Sequence, residues 1–320
     1  MRKWLALASA GVLALGVAAC GDDDSDGNAT AGSGEQVSGA IKIDGSSTVG
    51  PFAQAAAEQF GAENSGVQAS VGTSGTGGGF EKFCAGETDI SDASRPIKDD
   101  EEVPICKKNG VTYQEIQVAN DGIAVVTNKD LAIDCLTVEQ LKKLWNTGSK
   151  IGNYSQLDPK FPDVEVSLYG PGTDSGTFDF FTDEINGEEG VSRKDYQPSE
   201  DDNILVQGVE GDEGGLGYFG FSYYEQNQDK LNLVGVDGGD GCVKPSLETI
   251  QDGTYEPLSR PLFMYPSEQA LADKPQVKAF MEYVVDNGET IATNSQIIPL
   301  TAAQVDKAKQ QLQEAEAKAG

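Results

Sequence analysis

The feature that most constrains the fold is a unit that occurs three times: a short apolar strand, a loop of glycine and hydroxyl residues, and a helix. The three loops span residues 44–50, 72–79 and 170–177. Each loop presents backbone N–H groups at a helix start beside Ser and Thr hydroxyl groups, a combination that binds oxyanions. One such loop is commonplace, but three in one chain predict that they converge on a single tetrahedral anion.

The flanking sequence predicts where the strands and helices lie. We expect strands over residues 40–44, 67–71, 164–169 and 231–236, helices that begin at Pro51, Phe80, Thr137 and Phe178, and helical segments over 268–286 and 301–318. Thr137 and Gln140 have the spacing of a capping box. Strands that alternate with helices in this way are typical of the α/β fold class.

The composition excludes several classes of function. The chain contains no histidine, which rules out Ser-His-Asp and Cys-His catalysis and histidine-ligated zinc. Its 23 basic and 52 acidic residues give a net charge of −29, so its surface cannot neutralise the phosphates of a nucleic acid. The glycines at 75–79 lack the dinucleotide-binding spacing, and the sequence contains no P-loop. We therefore expect no cofactor, no metal ion and no nucleic-acid partner.

The N-terminus has the pattern of a signal peptide. Arg2 and Lys3 precede an apolar stretch over residues 4–17, which is too short to span a bilayer comfortably. Small residues lie directly before Cys20, as in lipoprotein signal peptides, so we expect cleavage of residues 1–19 and a lipid on Cys20. The alternative is an ordinary secretory signal that a cysteine follows by chance.

Residues 20–37 are expected to form a flexible acidic tether. Residues 21–35 contain no apolar side chain larger than alanine and cannot bury enough surface to become ordered. Cleavage would leave 21 basic against 52 acidic residues, a net charge of −31. Because anionic headgroups repel such a surface, the lipid must supply the attachment of this extracytoplasmic protein to the cell membrane.

Four cysteines remain besides Cys20, and an even number outside the cytoplasm favours disulfides. Three pairings are open. The short separation of Cys84 and Cys106 favours that pair and leaves Cys135 with Cys242. Buried free thiols are the alternative, and the lack of a CxxC spacing argues against metal binding.

Three segments resemble one known family. DGSSTVGPF at 44–52, GTGGGFEKFCAGETDISDASRPI at 75–97 and YGPGTDSGTFDFF at 169–181 are similar to the extracytoplasmic phosphate-binding proteins of the high-affinity phosphate ABC transporter. GGLGYFGFSYY and PLSRPLFMY also fit, and the resemblance covers roughly residues 40–300.

The resemblance implies a two-lobed fold of the periplasmic-binding-protein type II class, in which the chain crosses twice between the lobes. Lobe 1 would contain residues 38–119 and 247–320, and lobe 2 residues 120–246, with crossings near 117–121 and 246–250. It also implies a monomeric, non-enzymatic receptor that binds inorganic phosphate and delivers it to the membrane permease subunits of an ABC transporter.

The resemblance further implies which residues contact the anion. They come from the three loops: Ser47 and Thr48, then Ser74, Thr76 and Gly77, then Ser175, Gly176 and Thr177. The chain departs from the family at 170–173, which lack the arginine that family members often carry a few residues before the Ser-Gly-Thr of the third loop. We expect Arg95 to supply the guanidinium instead, and Asp92 or Asp174 to accept a hydrogen bond from protonated phosphate.

Two alternative functions stay open. One is a receptor for another tetrahedral oxyanion, such as sulfate, molybdate or arsenate. The other is a secreted phosphoester hydrolase with Ser175 or Thr177 as nucleophile, although the sequence offers no evident base for either residue.

Overall fold

A computed structural model describes residues 37–319 of the chain. The predicted signal peptide over 1–19, the predicted lipid site at Cys20 and the tether up to residue 36 lie outside the described residues. Between residues 37 and 319, every helix is too short or too polar to cross a membrane.

The described chain alternates strands and helices. The strands are β1 Gly39–Gly45, β2 Val67–Gly72, β3 Ile90–Ala93, β4 Ile116–Asn128, β5 Cys135–Thr137, β6 Ser167–Gly170, β7 Gln197–Pro198, β8 Gly215–Gly220, β9 Leu231–Asp237, β10 Cys242–Val243 and β11 Ser259–Pro266. The α-helices are α1 Gly50–Glu63, α2 Gly75–Cys84, α3 Val103–Asn109, α4 Val138–Trp145, α5 Gly176–Phe181, α6 Asp202–Gly211, α7 Phe221–Glu225, α8 Leu247–Gln251, α9 Glu268–Asp273, α10 Pro275–Asp286, α11 Gly288–Asn294 and α12 Ala302–Ala319. A 3₁₀ turn at Tyr154–Gln156 and a π-helical turn at Thr182–Asn186 complete the list.

The strands form one connected sheet in the order β2-β1-β3-β11-β4-β8-β6-β7, and β9 joins it through β4. β1 is parallel to β2 and β3, whereas β11 runs antiparallel to β3 and β4. The 13-residue strand β4 serves both halves of the sheet. It pairs with β11 up to Gly122 and with β8 from Ile123 onward.

Two large hydrophobic cores lie along this sheet. We call the first core the cluster that includes Ile41, Phe52 and Phe280, and the second core the cluster that includes Val125 and Trp145. Each core is closed by its own helices, α1, α10 and α12 in the first and α4, α5 and α6 in the second. Separate cores on a shared sheet give the two-lobed α/β architecture that the resemblance implies.

Core membership bears on where one lobe ends and the other begins. Ile250, Tyr255 and Leu258 pack in the second core, although they follow the crossing expected near 246–250. We therefore propose that lobe 2 extends to Leu258 and that the second crossing is the start of β11. We propose that the first crossing is the change of strand partner within β4.

The predicted elements are present, with shifts that have local causes. α2 begins at Gly75, five residues before the expected Phe80, because Gly75 adopts a φ of +81° that turns the chain into the helix. The helix expected over 268–286 is two helices. Lys274 between them has extended backbone angles, and Pro275, which lacks an N–H group, opens the second helix.

Both predicted disulfides are confirmed. Cys84 bonds to Cys106 and joins α2 to α3, in a small third cluster with Phe80 and Phe83. Cys135 bonds to Cys242, which ties β5 to β10 at the edge of the second half of the sheet.

The capping box predicted at the start of α4 is also confirmed. The Thr137 hydroxyl accepts a hydrogen bond from the Gln140 backbone N–H at 3.1 Å, and the Gln140 side chain accepts one from the Thr137 N–H at 2.9 Å. These two bonds satisfy N–H groups that a helix start leaves without a partner.

Thr137→Ala should lower the free energy of unfolding by about 1 kcal/mol, because the helix loses its cap. Urea unfolding followed by circular dichroism measures the change. Thr137→Ser retains the capping oxygen and is the control. Equal destabilisation by both variants would contradict a capping role.

Candidate functional site

The three predicted loops converge on one cavity of about 620 Å³. Ser46, Ser47 and Thr48 line it from the first loop, residues 74–78 from the second and Gly176 from the third. Further lining residues are Ser94, Arg95, Pro96, Lys98, Asp179, Phe180, Asp183, Glu184, Glu189, Ser259, Arg260 and Pro261. The cavity therefore collects polar groups from both halves of the sheet.

The first and third loops touch each other at Gly176. A Cβ atom added to Gly176 would lie 2.8 Å from the Ser47 Oγ and from the Thr48 backbone nitrogen, and closer still to the Thr48 Oγ1. A side chain at this position would force the loops apart. The absence of one lets the backbone of the third loop pack directly on the first.

Asp44, the penultimate residue of β1, holds the second loop in place. Its carboxylate accepts hydrogen bonds from the Ser74 backbone N–H at 3.1 Å and from the Ser74 hydroxyl at 2.5 Å, and it pairs with the Lys82 ammonium at 2.6 Å. Burial alone would raise the pKa of Asp44, but the bonds from Lys82 and Ser74 lower it on balance. The predicted donor Ser74 thus gives its hydroxyl hydrogen to Asp44.

The start of α2 offers donors to the cavity. Thr76 and Gly77 lie in its first turn, where backbone N–H groups have no partner within the helix. The Thr76 hydroxyl is fixed by Ser94, whose backbone N–H it contacts at 3.2 Å and whose hydroxyl it contacts at 3.1 Å. Gly79 allows α2 to approach β1, because a Cβ there would lie 2.5 Å from the Gly45 Cα.

The predicted cation Arg95 lies on the cavity wall but already has a carboxylate partner. Its two Nη atoms donate to the two carboxylate oxygens of Glu102 at 2.7 and 3.0 Å. These bonds raise the pKa of Arg95 and outweigh its partial burial. Glu102 therefore offsets most of the charge that Arg95 brings to the cavity.

The sequence analysis missed a second arginine, Arg260 on β11. Its side chain is only 14% exposed, and it lines the cavity beside the first and third loops. It contacts Asp121 at 3.3 Å and the Thr48 hydroxyl at 2.7 Å. The motif PLSRPLFMY contains Arg260, and its similarity to the family is the one sequence feature that could have indicated this arginine as a site residue.

Neither predicted acceptor aspartate is among the residues that line the cavity. Asp92 is fully buried on β3, and within residues 37–319 neither of its carboxyl oxygens has a hydrogen-bond partner. Burial, reinforced by the nearby charge of Asp44, raises the pKa of Asp92 well above its usual range. Asp174 is exposed on the third loop, where its backbone N–H contacts Glu200.

Ser175 and Thr177, the remaining residues predicted from the third loop, are not among the residues that line the cavity. The Ser175 hydroxyl accepts a hydrogen bond from the Thr177 backbone N–H at 3.2 Å and caps α5. Of the three predicted residues, Gly176 is the one that lines the cavity. Within 37–319, no three acidic or cysteine side chains are grouped so that they could hold a metal ion.

A family model described as the PBP superfamily domain matches residues 29–287. The chain belongs to the PBP superfamily. It is 46% identical over 265 residues to "Protein SphX" of Synechococcus elongatus, with coverage of 82% of this chain and 78% of that protein. It is 42% identical over 303 residues to "Phosphate-binding protein PstS" of Staphylococcus saprophyticus, with coverage of 94% and 91%.

A crystal structure of a possible phosphate binding protein from Planctomyces limnophilus is similar over 87% of this chain and 99% of that one. The TM-score is 0.82 and the sequence identity is 41%. These comparisons confirm the two-lobed fold and the PstS-like family that the motifs predict.

One wall of the cavity in this PBP-superfamily protein is acidic. Asp179, Asp183, Glu184 and Glu189 all line it. Burial, reinforced by Glu189 and opposed by Arg260, raises the pKa of Asp179 to about 6. Asp179 therefore changes its charge at a pH closer to neutral than an ordinary aspartate does.

Asp179 should make stability depend on pH in a defined direction. Its pKa is raised to about 6 in the folded protein. Because its unfolded pKa is about 4, the folded state holds a proton between these values that the unfolded chain has released, and stability falls as the pH rises through this window. Asp179→Asn removes this loss.

The difference in unfolding free energy between Asp179→Asn and wild type should therefore shift in favour of the variant from pH 4 to pH 6, and stay constant above. Urea unfolding at a series of pH values measures it. The same substitution at the exposed Asp130 is the control for the loss of one carboxylate. A pH-independent difference for Asp179→Asn would contradict the assignment.

Proposed function

We propose that this protein is a non-enzymatic, extracytoplasmic receptor that binds inorganic phosphate between its two lobes and delivers it to the permease subunits of an ABC transporter. The observation that carries the proposal is the contact of Gly176 with Ser47 and Thr48. Through this contact, loops of opposite lobes enclose a cavity whose walls present hydroxyl groups and helix-start amides.

The proposed ligands are neutral donors and two arginines. They are Ser47, Thr48, Thr76, Gly77, Arg95, Ser175, Gly176, Thr177 and Arg260, without Ser74, whose backbone N–H and hydroxyl both donate to Asp44. Such donors attract an anion strongly once the lobes exclude water, because each dipole acts in a medium of low dielectric constant. The name of the Staphylococcus saprophyticus relative, a phosphate-binding protein, supports phosphate as the anion.

Asp179 is the proposed acceptor, in place of Asp92 and Asp174, because it lines the cavity. Phosphate retains a proton near neutral pH and sulfate does not. An ionised Asp179 can accept a hydrogen bond from phosphate, whereas against sulfate it would face an anion with no proton to donate.

The remainder of the proposal concerns the region before residue 37. A lipid on Cys20 and the acidic residues that follow it would hold the receptor, as a monomer, close to the membrane. The small residues before Cys20 support this anchor. Metabolic labelling with a radioactive fatty acid, lost in Cys20→Ala, tests it.

Calorimetry tests the central proposal. The purified protein, freed of bound anion by unfolding and refolding, should bind inorganic phosphate with one site per chain and without turnover. Gly176→Ala should weaken binding at least about tenfold, because the new methyl group overlaps Ser47 and Thr48.

Gly61→Ala is the matched control, since a Cβ at Gly61 meets no other atom within 4 Å. Its affinity should equal that of the wild type. Failure of the wild type to bind phosphate, or tighter binding of sulfate, molybdate or arsenate, would overturn the proposal.

Selectivity should depend on pH through Asp179, whose pKa is raised to about 6. At pH 8 its carboxylate excludes sulfate, and below pH 6 the protonated acid can donate to sulfate. We expect the ratio of sulfate to phosphate affinity to rise as the pH falls.

In Asp179→Asn the ratio should be higher than in wild type by at least about tenfold at pH 8, and it should change less between pH 5 and pH 8 than the wild-type ratio does. Competition calorimetry at pH 5 and pH 8 measures both ratios. An unchanged ratio in the variant would exclude Asp179 as the acceptor without affecting the proposal that phosphate is the ligand.

A further inference from the structure

Arg260 and Asp121 are neighbours on the two strands that connect the lobes. They face each other in the antiparallel register of β11 and β4, and the Arg260 Nε donates to the Asp121 carboxylate at 3.3 Å. Each side chain is 14% exposed. The pair thus lies where β4 passes from one core to the other.

The guanidinium of Arg260 reaches both lobes from this position. Its Nη2 donates to the Thr48 hydroxyl at 2.7 Å, on the loop that precedes α1 of the first core. The same nitrogen contacts the Gly176 carbonyl at 3.4 Å, and the guanidinium carbon lies 3.7 Å from the ring centre of Phe180, a residue of the second core. Contacts to both sides can exist together only when the loops are adjacent.

The contacts of Arg260 leave some of its N–H groups free to bind an anion. A guanidinium has five N–H groups. Those of Nε and Nη2 are directed at Asp121, Thr48 and Gly176, while Nη1 donates to no residue within 37–319. Because Thr48 accepts from Arg260, its own hydroxyl hydrogen is also free to donate into the cavity.

We propose that Arg260 is a clamp that binds the anion and both lobes at once, and that Asp121 is the positioning residue that orients its guanidinium. This inference rests on the proposed function. Because the clamp contacts both lobes only in the closed form, an anion bound by Arg260 shifts the population toward closure. Asp121 fixes the plane of the guanidinium so that Nη2 faces Thr48 and Gly176.

Arg260→Lys keeps the charge and removes the planar fork. It should weaken phosphate binding about 10- to 100-fold in calorimetry, since a charged group loses one or two hydrogen bonds. The phosphate-saturated variant should also keep a larger radius of gyration in small-angle X-ray scattering than saturated wild type.

Arg193→Lys is the matched control: Arg193 is also largely buried and paired with an aspartate, but it does not line the cavity. Its affinity should stay within about twofold of wild type.

The Asp121→Asn variant distinguishes a role of Asp121 in orienting Arg260 from an effect of the Asp121 charge alone. Removal of a carboxylate near an anion site would by charge alone tighten phosphate binding, whatever residue occupies position 260. If Asp121 acts by orienting Arg260, Asp121→Asn should instead weaken binding about 3- to 10-fold in wild type and have little effect in Arg260→Lys.

Three results would overturn the clamp: wild-type affinity in Arg260→Lys, tighter binding in Asp121→Asn, or the same effect of Asp121→Asn in both backgrounds. Urea unfolding of each variant checks that it folds. If Arg260→Lys does not fold, the direction of the change in Asp121→Asn decides alone. All three results leave phosphate binding by the wild type intact, so they are distinct from a failure of the proposed function.

Discussion

The site depends on local dipoles that must overcome the charge of the whole protein. The chain carries a net charge of −29, which repels an anion at long range. Only donors that touch the ligand can reverse this, and they gain strength when water is excluded. In the proposed mechanism, contact between the loops of opposite lobes is therefore a condition for binding, and the lack of a side chain at Gly176 permits that contact.

Three of the cations around the cavity have a carboxylate partner that is itself largely buried. Lys82 pairs with Asp44, Arg95 with Glu102 and Arg260 with Asp121. This pairing holds each cation in a fixed orientation, and the acidic wall adds further negative charge to the cleft. Donors held in a fixed geometry favour an anion whose shape matches their arrangement, so the pairing contributes to specificity.

The parts of the site that the sequence could predict are those fixed by neighbouring residues. Glycine and hydroxyl loops before helices, the capping box at Thr137 and the Cys84–Cys106 pair all depend on residues close together in the chain. Arg260 could not be predicted in this way, because it meets Thr48 across 212 positions. Asp92 lies three positions before Arg95 in the sequence, yet β3 places it on the same face as Ile90, whose side chain packs in the first core.

The two disulfides have a consequence for how the receptor responds to its surroundings. Cys84–Cys106 lies within a cluster beside the first core, and Cys135–Cys242 lies at an edge of the other half of the sheet. No covalent link between these four cysteines spans the cleft. Under oxidising conditions each disulfide can therefore stabilise its own half of the sheet without restricting the motion of one half relative to the other. The stability of each half outside the cytoplasm and the opening of the cleft are thus set by different parts of the molecule.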